Sequence, residues 1–206
     1  TISGNTATGG GGAEGGAIRE SSGNVTVTNS TISGNMATGS GGPEGGAIRT
    51  SSGNIALIYA TITSNTSPGD ASIHGSSGTF TSFASVVAKG GPNCTGVTAT
   101  SNGFNFSDDS TCAFTAATDK QNAGDPGLGA LTNNGGPTAT QMPQPGSPLI
   151  DGVAAGSCQA DGAAGITTDQ RSLPRPDATS PACDIGAVEV QSAAPTVVVV
   201  TPRFTG

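Results

Sequence analysis

The chain opens with TISGNTATGGGGAEGGAIRESSGN (residues 1–24), and nearly the same phrase, TISGNMATGSGGPEGGAIRTSSGN, returns at residues 31–54. A third copy starts at Thr61 as TITSNT, loses about five residues from its glycine-rich stretch, and comes back into phase at SIHGSSGTF (residues 72–80). Recurrence of small and apolar residues at a spacing near 30 is the mark of a solenoid, in which each repeat buries its apolar face only against its neighbours. Aligned copies give three apolar columns: Ile18, Ile48 and Ile73; Val25, Ile55 and Phe80; Ile2, Ile32, Ile62 and Val87. Between them, runs such as NVTVT and STIS alternate with period two and end at Gly, Asn or Ser, as short strands with one buried face do. The fold class expected is therefore all-β, a right-handed parallel β-helix, the hand following from the rule for parallel crossovers. About three coils are expected over residues 1–89, with the columns inside. Asn5, Asn35 and Asn65 fall at one turn and are expected to hydrogen-bond from coil to coil. The shortened third copy makes ATGSGGPEGG (residues 37–46) an outward loop, because a loop can shorten without breaking the coil and a strand cannot.

Composition narrows the function. With 34 Gly, 10% charged residues and no Trp, the chain would by itself fit a flexible segment, but a flexible segment has no use for register. A net charge of −7 with seven scattered Lys and Arg excludes nucleic acid as a partner, since phosphates require clustered cations. No apolar run nears the ~20 residues that span a bilayer. No charged-then-apolar signal segment opens the chain, which starts inside a repeat and reads as a mature or excised piece of something longer. The four cysteines, Cys94, Cys112, Cys158 and Cys183, form no CxxC, and His74 is the only histidine, so a zinc site lacks ligands. Two disulfides and an oxidising, extracytoplasmic setting follow. Three connectivities are open; Cys94–Cys112 with Cys158–Cys183 is preferred because each pair brackets a turn-rich, non-repeating loop.

From about Ser85 the text changes. SVVAKGGPNCTG (85–96), GFNFSDDSTC (103–112), DPGLGALTNNGGPTATQMPQPGSPLIDGV (125–153) and TDQRSLPRPDATSPACDIGAVE (168–189) follow one another. These segments resemble the choice-of-anchor Q domain of bacterial secreted proteins that carry pectate-lyase-like or polymorphic-outer-membrane-protein-like repeats. The TISGN…GGAI copies are similar to the repeats of the latter. The resemblance is specific over residues 125–189 and generic in the repeats. It implies a secreted or cell-surface location, with the last coils and a disulfide-stapled, loop-rich cap over residues 90–190. It implies little chemistry, since most members have no established activity. Residues 191–206, QSAAPTVVVVTPRFTG, read as the start of a linker or tail with no visible anchor.

Many parallel β-helices act on polysaccharides, with paired carboxylates or carboxylate-held calcium beside a base, and with exposed aromatic rings for sugar stacking. The repeats offer Glu14 and Glu44, Arg19 and Arg49, Glu20, and Asp70. The Glu and Arg pairs recur one coil apart and read as a solvated ladder of opposite charges. Asp108 and Asp109 are candidate calcium ligands, but read more simply as a turn with exposed carboxylates. His74, standing where earlier copies carry Arg, reads as a solvent-facing spacer. The densest polar cluster is Asp169, Arg171, Arg175, Asp184 and Glu189. Its expected role is structural, sealing the strand edge and apolar interior at the end of the stack, with arginine forks tying loop carbonyls and carboxylates. A Thr array for ordering water does not persist, because TVTNSTIS becomes ALIYATIT and then TSFASVV. The expectation is a structural or adhesive surface module with no catalytic residue, metal or cofactor. A polysaccharide-acting enzyme or glycan-binding module is the alternative. Expected partners are an extracellular glycan or surface component, or further copies joined head-to-tail through coil ends or the valine tail into a filament.

Overall fold

A computed structural model of the chain describes residues 1–192; most of the linker-like stretch read at 191–206 therefore lies outside the described residues. Coil 1 carries β1 (Ile2–Ser3), β2 (Thr6–Thr8), β3 (Ile18–Glu20) and β4 (Val25–Thr28). Coil 2 repeats them as β5 (Thr31–Ser33), β6 (Met36–Thr38), β7 (Ile48–Thr50) and β8 (Ile55–Ile58). Coil 3 has β9 (Thr61–Thr63), β10 (Ile73–Gly75) and β11 (Phe80–Phe83); coil 4 has β12 (Val86–Ala88), β13 (Cys94–Thr95) and β14 (Ala99–Ser101). β15 (Phe106–Ser107) adds a last rung, and β16 (Leu128–Thr132) with β17 (Thr140–Pro143) forms an antiparallel hairpin. The coils stack as four parallel sheets: β1-β5-β9-β12-β15, β3-β7-β10-β13, β4-β8-β11-β14 and β2-β6. This is the parallel β-helix that the repeat implies. Among the described residues there is no helix, hence none long and apolar enough to cross a membrane.

Register confirms the columns. Ile18 and Ile73 both pair with Ile48, Val25 and Phe80 with Ile55, and Ile2, Ile32, Ile62 and Val87 with one another in turn. The partners also show the coil shrinking: Ile32 to Ile62 is 30 residues, Ile62 to Val87 is 25, and Val87 to Ser107 is 20. Corners between sheets are made by single residues in the left-handed region. Gly4, Gly34, Ser64 and Lys89 (φ 67, 67, 56 and 58°) follow the strands of the first sheet; Asn29, Tyr59 and Ala84 (φ 43, 50 and 47°) follow β4, β8 and β11. Directly after the first set of corners runs the asparagine ladder. Asn5 Nδ2 donates to Asn35 Oδ1, and Asn35 Nδ2 to Asn65 Oδ1, both at 2.9 Å. A second ladder joins Asn54 Nδ2 to Asn24 Oδ1 (2.9 Å), and coil 3 continues it with Thr79, whose N–H and hydroxyl donate to Asn54 Oδ1. The corner at Gly53 admits no side chain: a Cβ there would lie 1.8 Å from the Gly23 carbonyl of the coil before.

The described residues build two apolar cores. The first fills the coil with Val25, Ile32, Ile48, Leu57, Ile62, Phe80 and their neighbours. Residues 108–123 close its narrow end: Phe114 packs edge-on to Phe80 with centroids 6.3 Å apart, and Cys112 bonds to Cys94. The second core lies outside the coil, between the outer face of the first sheet and a flank made of residues 125–190. There Tyr59, Phe83, Val86 and Phe106 meet Leu149, Val153, Ile185 and the Cys158–Cys183 bridge. This flank explains why β5, β9 and β12 are buried on both faces. Both disulfides follow the preferred connectivity, and none of the cysteines is free.

Candidate functional site

Two constellations of charge merit attention. On the outer surface of the second sheet, Arg19, Arg49 and His74 pair in register, with Glu14 and Glu44 bridged beside them. Each base meets the acid of its own coil: Arg19 Nε to Glu14 Oε2 at 2.6 Å, Arg49 Nε to Glu44 Oε2 at 2.5 Å, His74 Nδ1 to Asp70 Oδ2 at 2.8 Å. His74 Nε2 also lies 3.6 Å from Glu44 Oε2, and the Gly45 N–H donates to Asp70 Oδ2 at 3.0 Å, so the pairs lock coil 2 to coil 3. The solvated ladder expected from sequence holds at Arg19, whose side chain is 52% exposed. It is corrected at Arg49 and His74, which are 9% and 15% exposed because neighbouring coils cover them on both sides. His74 is therefore not a solvent-facing spacer.

Asp108 and Asp109 also depart from the exposed turn expected of them; both are half-buried. Asp108 accepts from the Lys89 N–H (2.8 Å) and from Asn93 Nδ2 (2.6 Å). Asp109 accepts from the Asn93 N–H (2.9 Å) and from Thr111 N–H and Oγ1 (3.0 and 2.8 Å). Asp108 thus satisfies the backbone of the left-handed corner at Lys89, and Asp109 that of Asn93 and Thr111 beyond it. Among the described residues no group of three or more His, Cys, Asp or Glu is placed to hold a metal ion.

The second constellation is the C-terminal cluster, and the structure brings all its members together. Asp169 sits at the turn of TDQRS, accepting from the Arg171 and Leu173 N–H groups on Oδ1 (2.7 and 3.1 Å) and from the Glu189 N–H on Oδ2 (3.0 Å). Arg171 forks onto Asp169 Oδ2 through Nε and Nη2 (2.9 and 2.8 Å), and reaches the Glu189 and Asn134 carbonyls at 2.6 and 3.2 Å. Arg175 donates to the Asp184 and Gly186 carbonyls at 2.6 and 2.8 Å, lies 3.3 Å from Glu189 Oε2, and stacks its guanidinium 3.9 Å above the Tyr59 ring. Such a buried cation–π contact is worth about 2 kcal/mol. Tyr59 itself donates to the Cys158 carbonyl at 2.8 Å, and burial pushes its phenol up to about 12. Asp184 accepts from the Asp151 and Val190 N–H groups (2.8 and 2.6 Å).

The location of this cluster differs from expectation. It does not seal the end of the stack, a task that falls to residues 108–123. It lies on the side of the coil, where Gly186 N–H donates to the Ala84 carbonyl and Ala187 N–H to Thr61 Oγ1, at 2.8 and 3.0 Å. The physical reason is that the outer face of the first sheet carries Val86 and Ala88, which need cover as much as the end does. Sequence reasoning missed Tyr59. The available signal was a lone tyrosine at a left-handed corner that Asn29 and Ala84 occupy in the neighbouring coils, a position costly for a bulky residue unless its surroundings hold it.

Chemically, the two constellations behave alike: their acids are engaged by bases or N–H groups of the fold itself. A cavity of about 320 Å³ beside coil 1 is lined by Thr1, Ile2, Ile18, Val27, Ile32 and small polar residues, without an acidic or basic side chain. Comparison of the chain with protein-family models, with curated proteins and with solved structures found no match. The geometry carries the functional reading.

Proposed function

We propose that this chain is a structural or adhesive module displayed outside the cell, a stiff β-helical rod that presents a surface and performs no reaction. The observation that carries the reading is the use of its charges: Glu14, Glu44 and Asp70 each bind the base of their own coil, and the C-terminal cluster ties the turns of the flank together, with Arg175 stacked on Tyr59 of the coil, out of reach of solvent. Two disulfides and the resemblance of residues 125–189 to the choice-of-anchor Q domain support an extracellular or cell-surface setting. The partner class is an extracellular glycan or another surface component. Because residues 108–123 close the narrow end, head-to-tail stacking of coils into a filament is not part of the proposal.

The alternative is an enzyme acting on polysaccharide, and one observation favours it. His74 lies between the carboxylates of Asp70 and Glu44, 2.8 and 3.6 Å away, so that a base faces two acids. A panel of soluble and immobilised polysaccharides separates the two readings. Retention on a glycan without new reducing or unsaturated ends supports the module. Product formation that is lost in His74→Ala overturns it.

A further inference from the structure

The flank meets the coil through the Gly186 and Ala187 N–H groups and the Arg175–Tyr59 stack, and the segment that presents them is held in shape by buried charges that do not balance. Asp169, Asp184 and Glu189 are 3, 2 and 1% exposed, and Arg171 and Arg175 are 7 and 2% exposed. Three buried carboxylates thus share two guanidiniums. A fourth acid, Asp177, borders the group; against the opposing effect of burial, the N–H groups of Ser192, Thr179 and Ser180 hold it well below the usual carboxylate range, so it stays ionised. Arg171 is committed to Asp169. Arg175 spends its two terminal nitrogens on the carbonyls of Asp184 and Gly186, and reaches Glu189 only at 3.3 Å. With every acid ionised, the cluster would hold excess negative charge where water cannot solvate it, a state that low-dielectric surroundings strongly disfavour.

We propose that the flank is a proton latch: one proton held on Glu189, beside Asp184, fastens residues 149–190 to the coil, and its loss unfastens them. The groups that face Glu189 are Arg175, the Asp184 carboxyl and the N–H groups of Asp184 and Asp177 from the flank, Asp169 and Arg171 through its backbone, and Tyr59 from the coil; Asp151 faces Asp184. Burial pushes the Glu189 carboxyl up to about 7, with Arg175 opposing, and burial raises Asp184 as well. Because the folded value exceeds the ordinary 4.5, the proton's contribution is complete below about 4.5 and is lost as pH rises through about 7. The surface released is apolar: Tyr59, Phe83, Val86 and Phe106 on the coil, Leu149, Val153 and Ile185 on the flank. The Cys158–Cys183 bridge keeps the lifted flank in shape, so the opening is reversible.

Amide hydrogen exchange on the full, oxidised chain tests this, read by mass spectrometry between pH 5 and 8.5 and corrected for the intrinsic pH dependence of exchange. Peptides within 149–190 are expected to lose protection at least tenfold across that range, while β7 and β8 keep theirs. Glu189→Gln, which keeps the size and cannot ionise, is expected to hold the flank at pH 8.5 as firmly as the parent does at pH 5. If Glu189→Gln does not protect the flank even at pH 5, Asp184→Asn decides, with the same expectation. Flank protection independent of pH in the parent overturns the latch. So does equal loss in the deciding variant, or loss that strikes the coil strands at the same pH.

Discussion

Replacing Arg171 by alanine tests whether the C-terminal cluster serves the fold. The arginine side chain makes four hydrogen bonds, two to Asp169 Oδ2 and one each to the Asn134 and Glu189 carbonyls. Removing one member of a buried ion pair costs about 3–5 kcal/mol, and a buried carbonyl left without its donor adds about 1–3 kcal/mol. Two features reduce the total. Asp169 keeps three backbone N–H donors, and the Asn134 carbonyl is near enough to solvent for water to replace the guanidinium. A net loss of about 3 kcal/mol is expected, or roughly 6–12 °C in Tm for a chain of this size. Intrinsic fluorescence reads the site directly, because Tyr59 is the only tyrosine, the chain has no Trp, and the ring lies under Arg175. Urea titrations of the oxidised protein, followed by this signal and by far-ultraviolet circular dichroism, would locate the loss. In an Asp169→Asn background the same arginine deletion is expected to cost much less. An Arg171→Ala protein within about 0.5 kcal/mol of the parent would refute the structural role.

Three further outcomes are expected. Gly53→Ala drives a methyl into the Gly23 carbonyl of the neighbouring coil and should destabilise by about 1–3 kcal/mol, whereas Gly10→Ala, with open space around it, should change stability by less than about 0.5 kcal/mol; thermal melts of the pair decide this. Ile48→Ala, at a fully buried rung between Ile18 and Ile73, should cost about 2–5 kcal/mol in chemical denaturation. Reducing the disulfides should remove about 3 kcal/mol each, the chain-entropy value for loops of 18 and 25 residues, and a melting curve unchanged by reductant would contradict it.

The coil was legible because each turn must repeat its neighbour's cross-section. Ile18, Ile48 and Ile73 align in the text for the same reason that they stack in space, and the asparagines at 5, 35 and 65 follow suit. The cysteine pairs were legible through their local loops. The flank was not, since its contacts with the coil span anything from 28 to 139 residues and leave no period. Besides Tyr59, its trace was SVVA at residues 85–88, where consecutive apolar side chains signal a strand covered on both faces. His74 misled because its partners belong to different copies of the repeat. Asp70 supplies one carboxylate from four residues away, and Glu44 supplies the other from the coil before.

The flank also sets the order in which the molecule can be completed. Coil neighbours lie 20–30 residues apart in the chain, but the Ala187–Thr61 and Gln170–Thr31 bonds span 126 and 139. Docking has no surface until the first sheet exists, so the coils form first and the flank folds back over them last. On a chain emerging from its N-terminus, Phe83, Val86 and Phe106 stay uncovered until the CDIGAVE segment has followed. That interval is when the protein is most exposed to aggregation, and a variant that delays flank docking without lowering final stability would still lower its yield.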